Sequence, residues 1–184
     1  MNTQCVVIGI GNPYLQDDRA GVVVVEQLER DGLPCQTEVV YTVGFEVMDK
    51  IRGFERAIIV DACKLGNVPG SILEVTMDDI FTTHALVNSH AITLGSTLKT
   101  GYVCFPEEMP ADIRILLIEV KDITGFTQQM SPEVERAAAE VVERIKAMVA
   151  AAPAGEPARR RDQRSASSSL TDRTLAKSPL SAAQ

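Results

Sequence analysis

No run of about 18 apolar residues occurs anywhere in the 184 residues, so nothing in the sequence has the length and hydrophobicity of a membrane-spanning helix. The start, Met1-Asn2-Thr3-Gln4, has neither the basic segment nor the cleavage site of a secretory signal, and a soluble cytoplasmic protein is expected. Four cysteines, Cys5, Cys35, Cys63 and Cys104, lie far apart with no C-x-x-C pair and no neighbouring histidines, which excludes a zinc knuckle and implies reduced, mostly buried thiols. Positive charge is also scarce. A formal charge of −7 argues against sequence-independent nucleic-acid binding, which needs cations to neutralise phosphates, and suits a protein partner better. No internal repeat is present.

What is present divides near residue 150. Residues 151–184 are rich in Ala, Ser, Pro and Arg and contain no aromatic residue, a composition that cannot bury enough surface to offset its ordering entropy. Six basic residues there (Arg159, Arg160, Arg161, Arg164, Arg173 and Lys177) face three acids, Glu156, Asp162 and Asp172. The segment is therefore near +3 and, against the chain's −7, residues 1–150 are near −10. The division expected is one folded domain over 1–150 and a disordered basic tail over 151–184.

Within the domain, Cys5–Gly9 is a continuous apolar run ended by glycine, as in a strand buried on both faces. Asp17 can cap a helix from about Asp18 to Arg30, with Val22, Val25 and Leu28 in its apolar stripe. Glu38–Thr42 reads as a second strand, Phe45–Arg52 as a short helix with Val47, Met48 and Ile51 inward, and Ala57–Val60 as a third strand. Too few residues separate Asp61 from Ile72 for a crossover helix, so Ile72–Thr76 should return antiparallel to strand three or lie at the sheet edge. A helix capped by Asn88 or Ser89 runs to about Lys99. Arg114–Val120 is the last strong strand, and Ser131-Pro132-Glu133 opens a final helix to about Val149. The alternation predicts a three-layer α/β/α fold with a mixed, mainly parallel five-stranded sheet. If strands two and three flank strand one, ligands bind above the carboxyl ends of strands one and three.

The loop after strand one, Gly9-Ile10-Gly11-Asn12-Pro13-Tyr14-Leu15-Gln16-Asp17-Asp18, begins like a dinucleotide loop but has Tyr14 where a third glycine would stand. Two adjacent acids repel a pyrophosphate and welcome a cation; a helix-capping role for both is the plainer alternative. Asp61 ends a buried strand, where a carboxylate suffers desolvation unless it meets a cleft, a donor or a metal, or merely anchors a loop. His90 opens a helix, whose positive dipole end keeps the imidazole neutral and its lone pair available, although a single histidine is more often structural. Two carboxylates and an imidazole in one cleft suit nickel, zinc or iron(II) alike.

Other motifs lead nowhere. Ser96-Thr97-Leu98-Lys99 imitates S-x-x-K and Lys99-Thr100-Gly101 imitates K-T-G, but one lysine cannot serve in both. G-x-S-x-G and H-E-x-x-H are absent, Cys63 reads as a packed thiol, and His84 as an exposed loop residue.

In order along the chain, GIGNPYLQDDRAG, IIVDA and SHAITLG resemble the signature of the hydrogenase maturation proteases, nickel-dependent endopeptidases of [NiFe] hydrogenase large subunits. The resemblance covers about residues 4–149, and HAITLGSTLKTGY with FPEEMP is most similar to the subtype serving bidirectional, NAD-reducing hydrogenases. It implies a phosphorylase/hydrolase-like α/β fold. It further implies that Asp18, Asp61 and His90 contact the metal and that Asp18 and Asp61 are the catalytic candidates. Relatives often carry glutamate at the first position, and of their D-G-G-T segment after strand two only Gly44 is matched. By the same resemblance, the partner is the large-subunit precursor, the nickel is brought by that precursor, and the reaction removes its C-terminal extension. Hydrolysis through a metal-bound water and hydrolysis through water activated by a carboxylate both remain open. So does a non-proteolytic nickel-dependent chaperone of the same subunit. A monomer is expected, because no long exposed apolar stripe survives helix packing.

Overall fold

A computed structural model describes residues 4–82 and 90–151. Its five strands are β1 (Cys5–Ile10), β2 (Gln36–Val40), β3 (Arg56–Cys63), β4 (Ile72–Val75) and β5 (Asp112–Glu119). They form one sheet in the order β2-β1-β3-β5-β4, parallel except for β4, which pairs antiparallel with β5. The expected mixed sheet is thus observed. The fourth strand lies at the edge, as one of the two expectations had it, but its partner is β5, which is inserted between it and β3.

Helices cover both faces. The helices α1 (Ala20–Arg30) and α5 (Pro132–Ala150) lie on one side, meeting Val7, Ile58, Val60, Leu116 and Ile118. The α5 residues Val134, Ala137, Ala138, Val141, Val142 and Ile145 recur every three or four positions and are all buried, so one stripe faces the sheet. Each fully buried Val or Ile contributes about 1.5–3 kcal/mol. On the other side lie α2 (Phe45–Ile51), α3 (Met77–Thr82) and α4 (His90–Cys104), over Val6, Ile8, Ala57, Ile59 and Cys63. The short helix α3 was not anticipated.

Several boundaries differ from expectation for physical reasons. The first helix begins at Ala20 and is preceded by a 3-10 turn, Gln16–Arg19, within which Asp17 lies. Asp17 makes no cap bond to that turn, so the capping role is corrected below. Strand β2 sits two residues earlier than read, because as an edge strand it is only partly buried and shows no apolar run. Strand β3 continues past Val60 to Cys63, since β5 keeps pairing with it through Glu119. Helix α4 runs on through Gly101, whose missing side chain makes room for Met109: a Cβ there would stand 2.7 Å from the Met109 sulfur.

The cysteines are free thiols, with Cys5 and Cys63 buried, Cys35 half-buried and Cys104 exposed, so only half match the expected burial. No described helix is long and apolar enough to cross a membrane. The tail read as disordered, residues 151–184, lies beyond the described residues except for Ala151.

Candidate active site at the carboxyl ends of β1 and β3

From β1 the chain passes to β2 on one side and then to β3 on the other, so the crevice between β1 and β3 is the switch point of the sheet. The loop leaving β1 carries Asp18, which is half-buried. Its Oδ2 accepts the Asn12 N–H at 2.9 Å, closing the loop on itself.

Asp17 behaves differently. It is fully buried, and its carboxylate accepts the Lys121 and Asp122 N–H groups (both 3.0 Å), the Ser131 N–H (2.7 Å) and the Ser131 hydroxyl (2.8 Å). It therefore ties its own loop to the segment between β5 and α5. Ser131 occupies the N-cap position of α5 as expected, but its hydroxyl is given to Asp17 and makes no cap bond. Around this clamp, the Gln16 N–H donates to the Thr127 carbonyl (2.8 Å), and the Arg19 guanidinium donates to the Gln128 carbonyl.

Asp61 lies on β3 one residue beyond the last β1–β3 register pair, Gly9 with Val60, so its neighbour on the β1 side is missing. Pleat alternation puts it on the same face as Ala57, Ile59 and Cys63, toward α2 and α4. The side chain is 1% exposed. Oδ1 accepts the Ala62 N–H at 2.9 Å, whereas Oδ2 is buried with no hydrogen-bond partner. Burial pushes this carboxyl up to about 8; the Ala62 N–H works against the rise and the nearby Asp18 charge adds to it. Asp18 and Asp61, read as one constellation, are thus brought together.

His90 is the first residue of α4. Gly101, near the other end of that helix, sits against Met109 in the connection that leads to the amino end of β5. Helix α4 packs through Leu94 and Leu98 on the sheet face toward which Asp61 points, so His90 opens a helix on that same side of the sheet. No group of three potential metal ligands forms among the described residues. His84, read as an exposed loop residue, and the capping candidates Asn88 and Ser89 lie outside them.

A third buried carboxylate, Glu119 at the end of β5, was missed in the sequence. It is 1% exposed and accepts the Leu65 N–H (2.9 Å) and Gly66 N–H (2.8 Å), fixing the chain just beyond β3. The Cys63 thiol donates to it at 3.6 Å, and burial together with that carboxylate holds the thiol in its protonated form. Cys63 is a packed thiol, as read. Neither Glu119 nor the true role of Asp17 has a local sequence signal, because both depend on segments more than 50 residues away.

Exposed apolar side chains gather on the loops around this crevice. Among the described residues, six of the seven exposed large hydrophobic side chains, Tyr14, Tyr41, Phe45, Val68, Ile123 and Phe126, stand on or beside loops that leave carboxyl ends of parallel strands. Tyr14 and Phe126 stack with centroids 5.9 Å apart. By contrast, the 560 Å³ depression lined by Thr76, Lys99, Tyr102 and Asp112 contains neither Asp18 nor Asp61. Of the S-x-x-K imitation, Thr97 and Leu98 are buried within α4 while Ser96 and Lys99 are exposed on it.

The family model for hydrogenase maturation proteases matches residues 22–148. Among solved structures, the [NiFe] hydrogenase maturation protease HybD from Thermococcus kodakarensis is similar at 24% identity. It has a TM-score of 0.67, over 79% of this chain and 99% of that one. The hydrogenase maturating endopeptidase HybD from E. coli is similar at 24% identity with a TM-score of 0.65, over 80% and 92% respectively. An endopeptidase from Escherichia coli is similar at 25% identity with a TM-score of 0.60, over 77% and 89%. The curated proteins include no match to this chain.

Proposed function

Since the chain belongs to the hydrogenase maturation protease family, we propose that it removes the C-terminal extension of a [NiFe] hydrogenase large-subunit precursor after nickel has been inserted. Asp18, Asp61 and His90 would recognise the metal that the precursor carries. The observation that carries this reading is the Asp61 Oδ2, a buried carboxylate oxygen with no partner beside a second carboxylate. Such an oxygen is satisfied by a proton or by a cation, and a carboxylate pair joined by a histidine is a fitting but incomplete donor set for nickel. A metal presented by another protein fills that need without a resident ion.

The residues of this chain then have definable tasks. Where nickel only positions the peptide, Asp61 is suited to take a proton from water attacking the scissile carbonyl and return it to the departing amine. Asp18, half-buried at the mouth of the crevice, would orient that water or the metal-bearing segment. When bound, nickel supplies positive charge and Lewis-acid character at this place. The apolar rim supports a polypeptide substrate, since aromatic side chains are favoured in protein contacts. We further propose that the protein acts in the cytoplasm as a monomer, on the subtype of large subunit found in bidirectional, NAD-reducing hydrogenases.

Incubating nickel-loaded and nickel-free precursor with the protein, followed by intact-mass analysis, tests the reading. Loss of a C-terminal peptide from the loaded precursor alone is the expected result. Equal cleavage of both removes the metal-recognition role, and binding with no mass change leaves a chaperone in place of this endopeptidase.

A further inference from the structure

We infer that Asp17 is a positioning residue of the active site, setting where the Asp18 carboxylate stands by latching its loop to residues 121–131. The inference rests on the reading of Asp18 given above. Asp18 itself bonds within its own loop, its carboxylate accepting the Asn12 N–H and its N–H donating to the Leu15 carbonyl. Its place relative to β3 is therefore inherited from its neighbours, and both of them are tied to one distant segment: Asp17 through its carboxylate, Arg19 through the Gln128 carbonyl.

The latch is unusually concentrated for a loop contact. A single side chain, fully buried, receives four donors from three residues, two at the start of the β5–α5 loop and one at its end. That loop contains no helix or strand between Val120 and Ser131, so these bonds fix its shape as well as its distance from Asp18. With no salt bridge to it among the described residues, the carboxylate is held by three N–H groups and a hydroxyl. A fully satisfied buried group of this kind specifies one geometry, because any displacement strands a charge away from water. Neither a serine nor an asparagine offers four acceptor directions at this place.

Replacing Asp17 by Asn preserves volume but turns an NH₂ group toward donors, so the latch opens while the rest of the core is untouched. Precursor cleavage by Asp17→Asn is expected to show kcat lowered about 100-fold, the scale on which a displacement of roughly 1 Å acts, with KM changed less than about threefold. Amide exchange at Gln16, Asp122 and Ser131 should accelerate in the same variant. Ser131→Ala, which deletes only the hydroxyl donor, should lie between wild type and Asp17→Asn. Val141→Ala in α5 weakens the core away from the latch and should keep kcat, which separates positioning from stability.

Wild-type kcat in folded Asp17→Asn overturns the inference. If that variant does not fold, wild-type kcat in Ser131→Ala overturns it instead, as does an equal kcat loss in Val141→Ala. Asp18→Asn separates the two layers of the reading: if it processes normally, Asp18 has no role and nothing remains to position; if it is inactive while Asp17→Asn is fully active, only the positioning role falls.

Discussion

Gly9 and Gly21 touch: a Cβ on Gly9 would lie 2.2 Å from the Gly21 carbonyl oxygen. A Cβ on Gly21 would in turn lie 2.4 Å from the Ile10 carbonyl oxygen and 2.7 Å from that of Val60. Helix α1 therefore rests directly on β1 and β3, and the loop between β1 and α1 is held close over the crevice. The contact that a third glycine makes in a dinucleotide loop is made here by Gly21, ten residues beyond Gly11.

Gly21→Ala should push α1 off the sheet, since the atoms it meets are backbone and cannot rotate away. A loss of about 3 kcal/mol is expected from overpacking of this severity. Urea unfolding checks it, and a change below 0.5 kcal/mol, the usual range for surface substitutions, would show that the helix shifts freely.

Asp61 should impose a pH dependence on stability in protein kept metal-free with a chelator. Its carboxyl sits at about 8 in the fold against 3.8 when free, so between these values the folded state keeps a proton that the unfolded chain has released. Its contribution is fully present below about pH 4 and is lost as pH rises toward 8, by up to roughly 1.4 kcal/mol per unit. Asp61→Asn has no such proton and should flatten the profile, being more stable than wild type at pH 8 while unable to process precursor. Parallel profiles for the two proteins would remove the assigned burial effect.

Glu119→Gln should loosen residues 65–67. The lost carboxylate accepts two backbone N–H groups in a buried setting, and a cost of about 2–3 kcal/mol is expected from leaving them poorly satisfied. Arg144→Ala, which removes an exposed i,i+4 pair with Glu140, should cost less than about 0.5 kcal/mol in the same denaturation assay.

Tyr14→Ser combined with Phe126→Ser removes the exposed stack without touching the core. Steady-state processing should show KM raised by about tenfold with kcat retained, because the lost contact is with the body of the substrate and is made equally before and during reaction. An unchanged KM would place the precursor elsewhere on the rim.

The three central strands were legible because β1, β3 and β5 are buried on both faces and must be continuously apolar. The partner of β4 was not, since Ile72 meets Ile118 through a pairing that no local pattern encodes. Asp18 was legible as an acid in the loop after strand one and Asp61 as an acid closing an apolar run, and sheet order then brings them to one crevice. Asp17 was misread for an instructive reason. An aspartate before a helix looks the same in sequence whether its acceptors serve that helix or a segment a hundred residues later.

The latch between residues 17 and 131 also fixes when the site can exist. During synthesis Asp18 and Asp61 emerge early, but the last donor to Asp17 is made only with Ser131, and α5 must follow to hold that donor against α1. Contacts of such long sequence separation close late in folding. On the proposed reading, a nascent or C-terminally truncated chain would hold its acidic residues without the arrangement that processing requires, and competence would arrive with the completed domain.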